Sequence, residues 1–308
     1  MIKKKILITG GTGFIGYHLA LKCLKKNFLV TSLSTKKPKK IRKIKKVKYL
    51  FCDISKKKKL FKLLNSNPNF DFVVNLAGYV DHSKKRKTIQ SHYKGCKNLA
   101  LFFLLSKIKK FIQIGSSIEY GKINSPQKEN NKNLQKTYSV YGSSKLLSTK
   151  YLINLKKKFN FPATILRLYL VYGPKQDTNR VIPITIINAL KNYNFNCSDG
   201  LQYRDLLYID DLINAIIKSL YNKKTDGEIV NIGSGRPVRI KNLILKICKL
   251  IKSGKLQFGK IKFRKDEIKK LYPDIKKIKK EINWKPNISF DKGIKLTIKS
   301  YKDSLYKI

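Results

Sequence analysis

Tyr141 and Lys145 stand four residues apart in "TYSVYGSSKLLSTKYL". The segment carries helical patterning, so both side chains leave the same face one turn apart. An ammonium beside a phenol favours the phenolate and is expected to draw the tyrosine pKa down toward working pH. Such a tyrosine can exchange a proton with a sugar hydroxyl or carbonyl while a hydride moves to or from the adjoining carbon. A bare Tyr-x-x-x-Lys arises by chance in a lysine-rich chain, so a third group is needed. "FIQIGSSIEYG" supplies one. Its apolar run reads as a strand ending in Gly115-Ser116-Ser117, where a hydroxyl can bond the reacting oxygen and stabilise developing charge. Ser116 is the expected donor and Ser117 the alternative; the plainer reading is a pair of serines capping a strand.

Hydride chemistry needs a carrier, and "ILITGGTGFIG" is built to hold one. Gly10, Gly13 and Gly16 lie three apart between a strand and a helical run starting near Phe14. With no side chains in the way, a pyrophosphate can reach the backbone N–H groups at the helix's positive end, Phe14 and Ile15 among them, and Gly16 lets helix and strand pack closely. The second strand of such a unit usually ends in an acid that accepts hydrogen bonds from the adenosine ribose. Here that place falls on Ser34 in "SLSTKK". Serine followed by Thr35, Lys36 and Lys37 does not repel a 2′-phosphate and offers it donors and positive charge, so NADP is expected ahead of NAD. Asp53, closing "YLFCD", is placed either to bond the adenine amino group or to cap its strand. Ile54 and Ala77 complete the expected cofactor set.

Apolar runs at Ile6–Thr9, Phe28–Leu33, Lys48–Cys52, Phe72–Ala77, Phe111–Gly115 and Thr164–Tyr169 must position these groups. They are separated by segments of helical periodicity. That alternation predicts βαβ units and an α/β fold, a doubly wound parallel sheet of the Rossmann kind. Residues 1–173 are expected to form this dinucleotide-binding domain, with the chain returning to it around 206–232. Residues 174–308 should mainly build a smaller C-terminal substrate-binding lobe over the sheet's carboxyl edge. The lysine run Lys36–Lys48 reads as a solvated connection.

The net charge of +51 invites a polyanionic partner. The excess, however, is lysine spread from Lys3 to Lys307, whereas a nucleic-acid surface more often concentrates arginine and exposed aromatics. Nucleic acid is therefore not the expected partner. Five scattered cysteines without a C-x-x-C pair indicate neither a disulfide framework nor a metal site, and they suit a reducing cytoplasm. No run approaches the roughly 18 apolar residues of a membrane span, so a cytoplasmic protein is expected.

In chain order, "TGGTGFIG", "NLAG", "IGSSIEYG", "YGSSK", "LRLYLVYGP", "NRVIP", "RDLLYIDDL", "VNIGSG" and "INWKP" make the sequence resemble, nearly end to end, a known family. It is that of the extended short-chain dehydrogenase/reductases of the NAD-dependent epimerase/dehydratase type, which act on nucleotide-activated sugars. The resemblance implies a Ser116, Tyr141 and Lys145 triad, and a homodimer through the Tyr/Lys helix and the helix before it. It also implies that Arg204 in "GLQYRD" and Arg264 in "FRKDE" grip the substrate diphosphate, a task that suits forked guanidinium donors. Arg180 in "NRVIP" is implied at the sugar-nucleotide site. Ordinary surface ion pairs are the competing use of all three arginines.

Departures from the family pattern narrow the chemistry. Family 4,6-dehydratases carry an acid pair, or at least a glutamate, directly after the catalytic hydroxyl; here Ser117 and Ile118 occupy those places and Glu119 is one position out of register. Dehydration is therefore not expected. Leu170 replaces the Asn of "LRxxNVYG". His92 replaces an Asn ahead of "V-x-G-T" and could join a proton relay or simply be packed. The expected reaction is NAD(P)-linked reduction of a nucleotide-bound 4-keto-6-deoxy sugar. A NAD-dependent nucleotide-sugar 4-epimerase is the alternative, and a non-catalytic RNA-binding protein on the same fold the remote one.

Overall fold

Ile6, Leu7 and Ile8 are all fully buried on the first strand, β1 (Lys5–Thr9). Ile6 and Ile8 belong to one apolar cluster and Leu7 to a second. Successive strand side chains point to opposite faces, so a strand apolar throughout must have a layer of structure on each side. The protein, a computed structural model, is described over residues 3–67, 69–79, 81, 83–130, 137, 139–262 and 267–305.

The chain continues as α1 (Phe14–Lys25), β2 (Leu29–Ser34), β3 (Lys48–Phe51), α2 (Lys57–Asn65), β4 (Phe72–Asn75), α3 (Lys85–Ile89), α4 (Gly95–Leu104), β5 (Lys110–Ser116), α5 (Val140–Phe159) and β6 (Ala163–Leu168). There follow β7 (Leu170–Tyr172), α6 (Val181–Leu190), β8 (Asn194–Asn196), β9 (Tyr203–Tyr208), α7 (Ile209–Leu220), β10 (Ile229–Ile232), β11 (Pro237–Arg239) and α8 (Ile240–Ile251). The last elements are β12 (Lys255–Gln257), β13 (Lys270–Leu271), α9 (Lys276–Ile282) and α10 (Phe290–Leu305).

Seven parallel strands form the main sheet in the order β10-β6-β5-β4-β1-β2-β3. The order reverses between β1 and β4, and the crevice at the carboxyl ends of strands beside such a switch point is where doubly wound sheets take their ligands. Gly10 follows β1 there, Ala77 follows β4 and Ser116 ends β5.

After β6 the chain leaves this sheet. β7 pairs with β9, and β9 lies between β11 and β13 in a smaller sheet; β8 and β12 form a separate pair. The chain then rejoins the main sheet through β10, in register with β6.

The lysine run after β2 is not wholly solvated. Arg42 within it is 4% exposed and donates to the Lys175 carbonyl at 3.0 and 2.7 Å and to Asp177 at 2.9 Å. These bonds pin the loop to the segment between β7 and α6. Among the described residues no helix is long and apolar enough to cross a membrane, and the five cysteines are free thiols.

Candidate active site

The glycine loop leaves no room for side chains. Gly10 has φ +69, and a Cβ on it would lie 2.9 Å from the Leu76 carbonyl carbon. A Cβ on Gly16 would lie 2.5 Å from Gly11 Cα and 2.6 Å from the Gly10 oxygen. Gly13 caps α1 without a side-chain hydrogen bond, and the first turn, with Phe14 and Ile15 at its start, holds no acid. The helix therefore presents bare N–H groups and its positive end at the floor of the crevice. This cradle fits a dinucleotide diphosphate.

Ser34 ends β2, is buried, and accepts the Thr12 N–H at 3.4 Å, which ties that strand end to the glycine loop. Lys36 is exposed just beyond it. Asp53 accepts the Ser55 N–H at 2.9 Å, so the capping use of this acid is realised. Ile54 is buried, and its carbonyl takes the Asn98 amide at 3.0 Å. Ala77 donates its N–H to Asn75 at 3.2 Å.

Tyr141 lies in the first turn of α5, a helix started by Ser139, whose hydroxyl accepts the Gly142 N–H at 3.0 Å. Its phenol hydrogen-bonds the Ser116 side chain. Burial pushes the phenol pKa up; the Ser116 bond pulls it down, Glu119 adds to the rise, and the Arg180 charge pulls it down. The His92 ring meets the Tyr141 ring edge-on, with centroids 4.9 Å apart. His92 is itself buried, with Nε2 3.2 Å from the Tyr79 carbonyl oxygen, so it is a packed histidine that also walls the tyrosine.

Lys145 departs from expectation. Its buried ammonium donates to the Ile114 carbonyl at 2.7 Å, and burial lowers its pKa while Glu119 and Cys96 raise it. Lys145 is not among the groups drawing the phenol down, and Tyr141 is shifted upward rather than toward neutrality. The physical reason is burial: an ammonium out of water takes the nearest strong acceptor, here a strand carbonyl.

That carbonyl also accepts Gln113 Nε2 at 3.0 Å. Gln113 Oε1 takes the Asn75 amide at 2.7 Å, and Asn75 Oδ1 takes the Thr9 hydroxyl at 2.5 Å. Thr9, Asn75 and Gln113 are in register across β1, β4 and β5. A buried polar ladder thus runs from the glycine loop to Lys145.

Ser117, the alternative hydroxyl, is buried in a single turn of 3-10 helix, and the bond to Tyr141 falls on Ser116. Glu119, in the same turn, is 0% exposed. Its Oε1 accepts the Ser116 N–H at 2.7 Å, while Oε2 accepts the Thr149 hydroxyl at 2.7 Å and Arg167 Nε and Nη2 at 3.1 and 3.0 Å.

A diphosphate cradle, a Tyr–Ser pair and a lysine at the carboxyl edge of a parallel sheet agree with what comparison finds. The family model described as NAD dependent epimerase/dehydratase family matches residues 6–233. The chain belongs to this family. One relative of this epimerase/dehydratase-family enzyme, a UDP-N-acetyl-alpha-D-glucosaminuronate decarboxylase of Bacillus cytotoxicus, is 29% identical over 98% of this chain and 99% of its own. CDP-abequose synthase of Salmonella muenchen is 27% identical, over 96% of this chain and 97% of its own. The structure of UDP-glucuronic acid 4-epimerase from Bacillus cereus, in complex with UDP-glucuronic acid and NAD, matches with a TM-score of 0.87 at 28% identity, over 97% of this chain and 99% of that one.

The substrate arginines of this epimerase/dehydratase-family chain divide. Arg180 is exposed at the start of α6, and its charge reaches Tyr141. Arg204 instead donates to the Tyr203 and Ile268 carbonyls at 2.8 and 2.7 Å and pairs with Glu267. Its side chain is 10% exposed, and the forked donors expected to face a diphosphate are already taken. Arg264 lies outside the described residues.

Sequence reading gave no site role to Glu119, Arg167, Gln113 or Thr149. The one available signal was an acid inside an apolar stretch of a chain with 69 basic and only 18 acidic residues. In such a chain a buried carboxylate must be matched to a particular cation.

Proposed function

We propose that this enzyme is an NADP-linked reductase of a nucleotide-bound 4-keto-6-deoxyhexose. The observation that carries the reading is the convergence of the Ser116 side chain, at the end of β5, and the Tyr141 phenol, in the first turn of α5, where Ser116 draws the phenol pKa down. With its pKa pushed up by burial, Tyr141 is a protonated acid at neutral pH, the state a carbonyl reduction requires. Tyr141 gives its proton to the ketone oxygen, and the Ser116 hydroxyl shares that oxygen and stabilises the charge it gathers. Lys145, one turn along α5, holds a ribose hydroxyl, and Arg180 contributes positive charge near the phenol. When bound, the nicotinamide dinucleotide supplies the hydride.

Two further observations support the assignment. All four interactions on the Glu119 carboxylate are made within the protein, and an acid so engaged is unsuited to the proton transfers of a dehydration. At the end of β2, Ser34 is followed by Thr35, Lys36 and Lys37, with no carboxylate to repel a 2′-phosphate. The substrate diphosphate is assigned to Arg264, since the donors of Arg204 are engaged within the protein.

A second reading, a NAD-dependent 4-epimerase, is favoured by the Bacillus cereus relative, whose complex holds UDP-glucuronic acid and NAD. Purification without added cofactor separates the two. A reductase releases NADP and consumes NADPH with each turnover of a keto sugar, whereas stoichiometric retained NAD and no net consumption would favour the epimerase. We also propose a homodimer through α4 and α5, where Leu147 on α5 and Leu105 just after α4 are 45% and 89% exposed; sedimentation equilibrium tests it.

A further inference from the structure

One carboxylate reaches every element that presents a reacting group. Glu119 accepts the N–H of Ser116 at the end of β5, the hydroxyl of Thr149 on α5 one turn beyond Lys145, and the guanidinium of Arg167 on β6. The glycine at position 115 is matched to it, since a Cβ there would lie 2.6 Å from Glu119 Oε1 and 3.1 Å from Arg167 Cγ.

We propose that Glu119 is a positioning residue for the reductase reading on which this role rests: by joining β5, α5 and β6 through one anion it holds the Ser116 hydroxyl against the Tyr141 phenol. The anion also governs protonation. Its charge favours the Lys145 ammonium and opposes ionisation of Tyr141, so both proton-bearing groups are kept in the form that reduction needs. The other charged or titratable neighbours are few. Arg180 faces Tyr141 from the start of α6, and His92 faces it from the turn ahead of α4. Cys96 of α4 faces Lys145, and Arg167, over the Tyr120 ring at 4.2 Å, faces Glu119 itself.

The test needs no substrate, so it stands apart from the fate of the reductase reading. The full chain is labelled with ring-13C tyrosine, the Tyr141 Cζ signal is assigned by its loss in Tyr141→Phe, and its alkaline titration is followed in two variants. Glu119→Gln combined with Arg167→Met removes both members of the Glu119–Arg167 ion pair together and keeps an acceptor for the Ser116 N–H. Its Tyr141 midpoint is expected to move to lower pH. Glu119→Asp keeps the charge and the pairing with Arg167 but withdraws the carboxylate by one methylene from Ser116. Loosening the Ser116–Tyr141 hydrogen bond in this way is expected to move the midpoint to higher pH.

Opposite movements in the two folded variants support the positioning role, because a carboxylate acting through its charge alone would lower the midpoint in the double variant and would not raise it in Glu119→Asp. If the double variant does not fold, Glu119→Asp decides alone. A midpoint unchanged from wild type in the folded variants overturns the proposal.

Discussion

The Tyr141 phenol hydrogen-bonds the Ser116 hydroxyl where β5 ends beside the first turn of α5. Replacing the phenol by a phenyl ring in Tyr141→Phe keeps the edge-on packing against His92 and removes only the proton donor. Turnover should fall by about 10²–10⁴-fold while thermal melting stays close to wild type. Rapid-mixing measurement of the cofactor absorbance checks the chemical step directly. A variant that keeps full turnover would remove Tyr141 from the mechanism.

Gly16 is expected to tolerate no side chain. The Cβ of Gly16→Ala would meet backbone at 2.5 and 2.6 Å, and backbone cannot swing aside as the end of a side chain can. Overpacking of this kind costs about 1–3 kcal/mol. It also shifts the N–H groups that form the cradle, so calorimetric titration should show cofactor affinity falling further than stability does.

Ser34→Asp places a carboxylate at the end of β2 beside the glycine loop. The preference for NADPH over NADH, read as a ratio of kcat/KM values, should drop by roughly tenfold or more because the new charge repels a 2′-phosphate. An unchanged ratio would mean that the ribose does not lie against Ser34.

Asp205 gives the fold a pH signature. The Ser234 and Gly235 N–H groups and the Ser234 hydroxyl hold its carboxylate, but burial dominates and lifts its pKa from 3.8 to about 6. Between those values the unfolded chain has lost a proton that the folded chain still holds. The stability contributed by this group is therefore greatest below the lower value and falls as pH rises to the upper one, by roughly 3 kcal/mol in all. Urea unfolding at pH 4, 5 and 6 should show the wild type losing stability relative to Asp205→Asn across that window. A constant difference would contradict the assignment.

The glycine cradle, the strand-helix alternation and the shared helical face of Tyr141 and Lys145 were legible because each depends on local pattern, three residues in the loop and one turn in α5. What was not legible depends on register and burial. Glu119 and Arg167 are 48 positions apart and meet only because Gly115 pairs with Arg167 between β5 and β6. The partner of Lys145 is a backbone carbonyl, which no residue type announces. The resemblance implies that Arg204 grips the substrate diphosphate, yet it is engaged by Glu267 and two carbonyls, which depends on how the chain brings residues 267 and 268 beside β9. The turn in which Asp53 accepts the Ser55 N–H was one of two uses that the residue type allowed, and it depends on the loop's shape.

The central claim is tested most directly by incubating the protein with a panel of nucleotide-linked 4-keto-6-deoxy sugars and NADPH deuterated at the transferred position, then analysing the product by mass and NMR. The account predicts one NADPH oxidised per sugar, with deuterium at C4 of a 4-hydroxy product and strongly reduced turnover in Tyr141→Phe. Epimerised sugar formed without net NADPH oxidation, or loss of water from an unmodified nucleotide hexose, would contradict it.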